Sequence, residues 1–304
     1  MRVKVILNPW ADRGRALRLE EPIATWGRRY GEIDVLVTES AGQATALAAT
    51  AAAEGYEVVA AAGGDGTVNE VVNGLLATPA GSGPEPAFGL IPIGSGNDYA
   101  HGMDLVAPAQ TAVERIFSGE RRLVDVAEVV DGLGRRRFAC NGIGIGIDAS
   151  IAIENFKIRR LYGFPAYMLA TLRTILFKYQ TPQLTVKFDE EIVRQGALLL
   201  AVGIGPRVGG GFRITPDARF DDGLLDSCLV EPVGRATMLA MLLRVMRGTH
   251  VSASFVALRR NQVIEVDSDR PLPIHLDGEI FATTADNVCQ VRLTCLPDRL
   301  AVMS

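Results

Sequence analysis

The sequence predicts a two-domain fold: an α/β domain with a parallel sheet, followed by an antiparallel β-sandwich domain. Three observations carry this. Apolar strands alternate with helical stretches over the first third of the chain, consecutive short strands divided by turn signals follow, and 304 residues amount to about two domains at ~150 residues each.

In the first third, Val3-Lys4-Val5-Ile6-Leu7 is a β-rich run followed by a polar turn and a helical stretch through Tyr30. Ile33 to Val37 is a second strand, and the alanine-rich segment Gln43 to Glu54 is a helix by propensity. Glu57 to Ala62 is a third strand ending at Gly63-Gly64, Thr67 to Leu76 a helix, Pro79 to Pro86 a Gly/Pro/Ser-rich loop, and Phe88 to Pro92 a fourth strand. Such alternation implies right-handed crossovers and a ligand site at the carboxyl ends of the strands. After about Arg121 the rhythm changes. Arg122–Val130 and Arg137–Ile147 read as strands around an Asp131-Gly132 turn, and one long helical stretch, Ala149 to Tyr179, follows. The runs 184–188, 196–203, 224–230, 263–266, 273–276 and 288–296 then read as short strands of a sandwich. The boundary falls near Gly119–Val124, which gives domains 1–121 and 122–297.

Composition excludes several classes. With 48% hydrophobic and 22% charged residues the chain is globular rather than disordered. A net charge of −4 without a basic stripe argues against nucleic acid. No apolar run reaches the ~18 residues of a spanning helix, and the N-terminal apolar stretch is too short for a signal peptide. Four cysteines without CxxC spacing and three histidines argue against structural zinc and read as reduced thiols in a cytoplasmic protein. The mean hydropathy of +0.19 is nonetheless on the apolar side.

Chemistry concentrates at two glycine loops. Ala62-Gly63-Gly64-Asp65-Gly66-Thr67-Val68-Asn69-Glu70 follows a strand and opens a helix, where backbone N–H groups and the helix N-terminus favour an anion. Taken alone, it also reads as a tight strand-to-helix turn with Asp65 as the cap. Pro92-Ile93-Gly94-Ser95-Gly96-Asn97-Asp98 repeats the arrangement after the next strand, and two such loops at neighbouring strand ends make a nucleotide-shaped site. Neither is a Walker A or a dinucleotide GxGxxG sequence, and Asn141-Gly142-Ile143-Gly144-Ile145-Gly146 lies in the β-rich half, where it opens no βαβ unit.

These segments, with Asn8-Pro9, Thr38-Glu39, Asn69 to Gly74, Asn141 to Ala149, Gly209 to Ala218, Asp222 to Asp226 and Asp277-Gly278-Glu279, resemble in order the diacylglycerol kinase catalytic domain family, within the NAD kinase superfamily. The resemblance covers nearly the whole chain. It implies an ATP-binding α/β domain to which residues 298–304 return, a lipid-binding β-sandwich, and a cleft between them where ATP and lipid meet. It implies Asp277 as the general base for a lipid hydroxyl, with Glu279, Asp65 and Asp125 completing the catalytic set. Asn8, Pro9, Arg15, Thr38, Gly63, Gly64, Asp65, Gly66, Thr67, Glu70, Gly94, Ser95, Gly96, Asn97 and Asp98 would line ATP. Asp222, with the carbonyls of Arg219 and Leu224, matches a structural Mg²⁺ site. The implied activity is ATP- and Mg²⁺-dependent phosphorylation of a primary hydroxyl of diacylglycerol or a related membrane lipid. The alternatives are an NAD kinase and a non-catalytic nucleotide- or lipid-binding regulatory protein. This chemistry suits the residues, because phosphoryl transfer is mostly positioning and charge neutralisation. The spacing alone does not reveal it: Asp277-Gly278 is a common hairpin signal, and Asp222 and Asp226 would also flank an ordinary turn.

Asp12 stands where relatives usually carry glycine, which puts an acid beside the phosphates, Arg15 replaces a frequent lysine, and Ser95 replaces a threonine. Phe156 to Phe164 interleaves bases and aromatics in a way that suits an anionic membrane surface or an ordinary packed amphipathic helix. Met238 to Met246 reads as a core helix face. His275 lies two residues from Asp277 without a nucleophile elbow to make it a hydrolase histidine. The expected partners are a membrane lipid substrate, a peripheral membrane contact and, through exposed sheet edges, a homodimer.

Overall fold

A computed structural model of the chain describes residues 1–77, 85–158, 161 and 163–304. They divide into two compact units, Met1–Val124 with Asp298–Ser304, and Asp125–Pro297. The Gly/Pro/Ser-rich loop read over 79–86 lies largely outside the described residues.

The first unit is built from β1 (Arg2–Leu7), α1 (Glu20–Gly27), β2 (Glu32–Val37), α2 (Gln43–Ala53), β3 (Val58–Gly63), α3 (Asp65–Leu76), β4 (Ala87–Pro92), α4 (Asp98–Gly102) and α5 (Ala109–Ser118). The strands pair in parallel in the order β2-β1-β3-β4. All six residues of β3 are buried, which explains its unbroken small and apolar sequence. The core joins Val3, Val5 and Leu7 of β1 to Val58 and Ala60 of β3 and to Val113 and Ile116 of α5. The helical stretch read before Tyr30 is two short 3₁₀ turns, at 11–14 and 16–19, and then α1. Asp12 and Arg13 adopt left-handed backbone conformations there, with φ of +47° and +59°.

The second unit opens within β5 (Arg121–Asp131) and continues through β6 (Arg136–Ala139), β7 (Gly142–Gly146), α6 (Ile147–Phe156), α7 (Phe164–Phe177), β8 (Gln183–Phe188), β9 (Glu191–Gly196), β10 (Leu199–Gly203) and β11 (Leu225–Val230). It is completed by α8 (Arg235–Met246), β12 (Val256–Asn261), β13 (Val263–Ser268), β14 (Ile274–Leu276), β15 (Glu279–Ala282) and most of β16 (Gln290–Met303). Its strands belong to two sheets, of which the first is antiparallel throughout. The first has the order β12-β11-β10-β7-β14-β15, and the other joins β16, β13, β8 and β9, with β5 and β6 beside β16. The last residues of β16 lie in the first unit, where Val302 pairs in parallel with Phe88 of β4.

Two readings are corrected. The stretch 149–179 is not one helix but two, because Gly163 takes φ +62° and Pro165 sits in the first turn of α7, where a missing N–H starts a helix but cannot continue one. The run 137–147 is likewise two strands, with Cys140 and Asn141 turning between them. Part of the basic-aromatic segment at 156–164 (Arg159, Arg160, Tyr162) lies outside the described residues. No helix among the described residues is long and apolar enough to cross a membrane.

Candidate active site

The strand ends of the first unit converge on the two glycine loops. Asn8, just past β1, donates its N–H to the Ala62 carbonyl (3.0 Å) and its Nδ2 to Thr67 Oγ1 (3.0 Å), and its Oδ1 accepts the Trp10 N–H. The loops then meet backbone to backbone. Ile93 N–H donates to Gly63 O at 2.8 Å. A Cβ on Gly94 would lie 2.4 Å from Gly64 Cα, so only glycine permits this approach. The carboxylate of Asp65 sits at the first position of α3 and its Oδ1 accepts the Tyr99 N–H (3.1 Å) from the opening turn of α4.

Several expected ATP-lining residues hold the loops themselves. Glu70 Oε1 and Oε2 accept the N–H groups of Gly42 and Ala44 and so cap the N-terminus of α2. Asn97, at φ +48°, accepts the Gly94 N–H and donates back to the Gly94 carbonyl. Thr38 is buried and tied to β1 through its N–H, Asp98 is buried, and Ser95 is exposed. Arg15 donates to Asp12 Oδ1 at 2.6 Å, so the unexpected acid at 12 carries its own counter-charge. Gly64 is the N-cap of α3, at a helix N-terminus where backbone N–H groups favour an anion.

In the second unit, Asp277 occupies the β14–β15 turn at φ +53°. Its Oδ1 accepts the N–H groups of Asn141 (2.9 Å) and Gly142 (2.8 Å), and its Oδ2 accepts the N–H of Cys140 (2.9 Å) and faces the Cys140 thiol at 3.3 Å. Three amides and a thiol thus face this carboxylate, which as an acceptor-only group can take several donors at once. Glu279 follows on β15, half-buried. Asp125 is buried and accepts the Gly223 N–H at 2.7 Å, which fixes the loop carrying Asp222.

The expected Mg²⁺ site can be tested against its donors. Among the described residues no group of three or more His, Cys, Asp or Glu side chains is arranged for a metal, so this site depends on the carbonyls of Arg219 and Leu224. Asp222 Oδ1 accepts the Leu224 N–H and its Oδ2 pairs closely with Arg260. Beside it, Asp226 Oδ2 is buried with no hydrogen-bond partner. Burial pushes the Asp226 carboxyl up to about 6, with Arg260 opposing and Asp222 and Asp217 adding to the rise. An all-oxygen donor set with an orphaned buried acceptor fits a hard divalent cation.

Sequence reasoning missed a buried polar chain. His275 Nδ1 accepts the Gly278 N–H (3.2 Å), which places the ring proton on Nε2, and Nε2 faces Asp148 Oδ2 at 3.0 Å. Tyr167 donates its hydroxyl to Asp148 Oδ1. Burial alone would push Asp148 up, but His275 and then Tyr167 outweigh it and hold the carboxyl below its usual range. Asp148 and Tyr167 in turn face an otherwise apolar cavity of ≈ 130 Å³ walled by α7, α8 and the sheet, with Ile175, Phe212, Met238 and Val245 among its lining. Residues 148 and 275 lie 127 positions apart, and no local motif joins them.

A parallel α/β unit with paired glycine loops, followed by an antiparallel sandwich, defines the NAD kinase-like two-domain architecture. Within it the chain belongs to the diacylglycerol kinase catalytic domain family. The family model of that description matches residues 2–129, and that of the YegS C-terminal NAD kinase beta sandwich-like domain matches residues 141–304. Proteins named diacylglycerol kinase from Staphylococcus saprophyticus and Staphylococcus aureus are each 28% identical over 280 residues, covering 91% of this chain and 88% and 86% of their own. Two Bacillus anthracis chains of solved structure, one of them described as a diacylglycerol kinase, share the fold. Their TM-scores are 0.79 and 0.71 at 22% and 20% identity, over 99% of this chain and 96% of theirs.

Proposed function

We propose that this protein is a lipid kinase that transfers the γ-phosphoryl group of ATP, with Mg²⁺, to a primary hydroxyl of diacylglycerol or a related membrane lipid. The observation that carries the reading is the backbone contact of the two glycine loops at neighbouring strand ends, in a chain of the diacylglycerol kinase family.

In this reading the N–H groups around Gly64 and Gly66, at the N-terminus of α3, take the phosphates. Asn8 and Thr67 hold the strand ends around them, and Arg15 adds a positive fork. Asp65 faces the phosphates from the first turn of α3. Magnesium, when bound, neutralises phosphate charge as it passes to the transferring group. The lipid hydroxyl oxygen attacks the γ-phosphorus, the bond to the β–γ bridging oxygen breaks, ADP leaves, and the hydroxyl proton passes to Asp277. Beside the three amides the Cys140 thiol is the weaker donor, so its position is the one a hydroxyl would take. The apolar cavity of the second unit supports an acyl-chain substrate.

The test is incubation of the purified chain with labelled ATP, Mg²⁺ and a panel of diacylglycerol, sphingosine, phosphatidylglycerol, a polyprenol and NAD⁺. Label is expected in a lipid product. Label confined to NADP⁺ would make this an NAD kinase, and bound ATP without transfer to anything would make it a regulatory protein.

A further inference from the structure

Helix α8 carries the core face its composition suggests, through Met238, Leu242, Val245 and Met246, but only on one side. Its sequence, Arg-Ala-Thr-Met-Leu-Ala-Met-Leu-Leu-Arg-Val-Met, is strongly apolar, yet Met238 is its one fully buried residue. Met238, Met241, Leu242 and Val245 face the cavity at helical spacing. That leaves Leu239 and Leu243, four apart, on the opposite side, 39% and 63% exposed. Helix α7 repeats the division. Thr171 and Ile175 line the cavity, while Arg173, Leu176 and Phe177 point outward, Leu176 at 48% and Phe177 at 77% exposure. The helices are tied where Arg235 Nε donates to the Ile175 carbonyl at 3.1 Å. Their outer faces therefore both turn away from one cavity and present large apolar side chains to solvent together.

Charge along these two helices and their ends is one-sided. Residues 164–178 and 232–252 contain no Asp or Glu but carry Arg173, Lys178, Arg235, Arg244 and Arg247, in a chain whose net charge is −4. Arg235 and Arg244 bind nearby backbone, Arg244 through the Thr249 carbonyl. Arg173, Lys178 and Arg247 are exposed. Exposed apolar side chains accompanied by exposed cations on the same two helices are complementary to a surface that is apolar inside and anionic outside.

We propose that the outer face of α7 and α8 is the docking surface for an anionic lipid bilayer, with Leu176, Phe177, Leu239 and Leu243 entering the headgroup region and Arg173, Lys178 and Arg247 meeting lipid phosphates. The cavity then lies one helix, roughly 10 Å, from the bilayer, beneath an α8 that forms its outer wall. The use of this surface, delivery of a membrane-resident substrate to the cavity, rests on the lipid-kinase reading. The surface itself is read by vesicle binding.

The experiment sediments the full chain with sucrose-loaded vesicles of phosphatidylcholine, with and without phosphatidylglycerol. The parent protein is expected to bind the mixed vesicles and to bind pure phosphatidylcholine poorly. Phe177→Ser/Leu243→Ser lowers partition at least about tenfold, as two half-exposed apolar side chains lose their burial. Arg173→Gln/Lys178→Gln/Arg247→Gln lowers binding to mixed vesicles by roughly 10²-fold, at about fivefold per cation, and leaves binding to neutral ones unchanged. Thermal unfolding of both variants matches the parent, since these side chains are exposed. Phosphorylation of a short-chain, water-soluble diacylglycerol separates the two readings. A parent that phosphorylates it but binds no vesicle overturns the surface and keeps the kinase, and one that binds vesicles but phosphorylates nothing overturns the kinase and keeps the surface. Undiminished binding by the Phe177/Leu243 variant overturns the proposal. So does a concentration-dependent dimer that the same variant dissociates, because the face then belongs to a second copy of the chain.

Discussion

Replacing Asp277 by Asn separates two roles that the structure assigns to one carboxylate. Its oxygens accept three backbone N–H groups at 2.8–2.9 Å. An asparagine carbonyl oxygen can still take the N–H groups of Asn141 and Gly142, but its NH₂ then faces the Cys140 N–H, donor against donor. One buried donor is left unpaired at about 1–3 kcal/mol, and for a unit of this size each kcal/mol lowers Tm by about 2–4 °C. The expected fall is therefore about 2–12 °C by calorimetry. Loss of the proton acceptor is separately expected to lower kcat by about 10²–10⁴, measured with labelled ATP and diacylglycerol in mixed micelles. Cys140→Ala isolates the thiol: it keeps all three amides, so Tm changes little, and it opens the acceptor position proposed for the hydroxyl, so kcat is preserved. A lowered Tm with an undiminished kcat would leave Asp277 as a structural residue and refute its role as base. An unchanged Tm would refute the hydrogen-bond argument.

Three further outcomes follow from the same geometry. Gly94→Ala places a Cβ 2.4 Å from Gly64 Cα and 2.6 Å from Asn97 Oδ1, so the loops must part at about 1–3 kcal/mol, and calorimetric titration is expected to find ATP binding at least about tenfold weaker; unaltered affinity would remove these loops from the nucleotide site. Asp12→Gly relieves a left-handed residue at φ +47° and frees Arg15 from a pair that is 43% and 61% exposed and so worth no more than about 1 kcal/mol; ATP binding should tighten and become more salt-sensitive. Asp226 holds its proton more firmly folded than unfolded, so its contribution to stability is full below about pH 4 and is lost as pH rises through about 6, a difference of at most about 3 kcal/mol. Asp226→Asn should therefore gain stability relative to the parent between pH 4 and 7, and millimolar Mg²⁺ at pH 7 should narrow the gap by stabilising only the parent; a gap independent of pH and Mg²⁺ would refute both the burial cost and the cation.

The α/β half was legible because its strands are apolar runs, two of them running into glycine loops, and those loops because the approach of Gly64 and Gly94 admits nothing larger. What escaped detection lacked a local cause. Strand β9, Glu-Ile-Val-Arg-Gln-Gly, has no fully buried residue and hence no alternation to read. The break between α6 and α7 was written in Gly163 and Pro165, but the apolar residues on both sides continue a helical period across it. For α8 the core face read over Met238–Met246 is present, with Met238 in the core and Leu242, Val245 and Met246 packed against it, but it is only one face of the helix. Apolar content announces a helix with a face to cover, and only tertiary structure says that one face covers a cavity while the other is left to solvent. The chain from Tyr167 through Asp148 to His275 joins α7, α6 and β14, and no sequence window contains it.

The residues that mark the site by resemblance are, for the most part, bonded to backbone. Glu70 caps α2, Asn97 closes the second loop on Gly94, Asp125 holds Gly223, and Asp277 gathers the amides of 140–142. Glycine loops offer no side chains to pack, so their shape must come from hydrogen bonds, and a carboxylate or amide is the group that can take several amides at once. Glycine and acid are therefore two halves of one device: the first allows the close backbone approach and the second holds it in place. His275 extends the device inward, because the ring that accepts the Gly278 N–H of the Asp277 turn also grips Asp148 on the cavity wall. Loss of activity on substituting any of these residues is thus ambiguous by itself, and a matched measurement of stability decides whether a reacting group was removed or the loop that presents it.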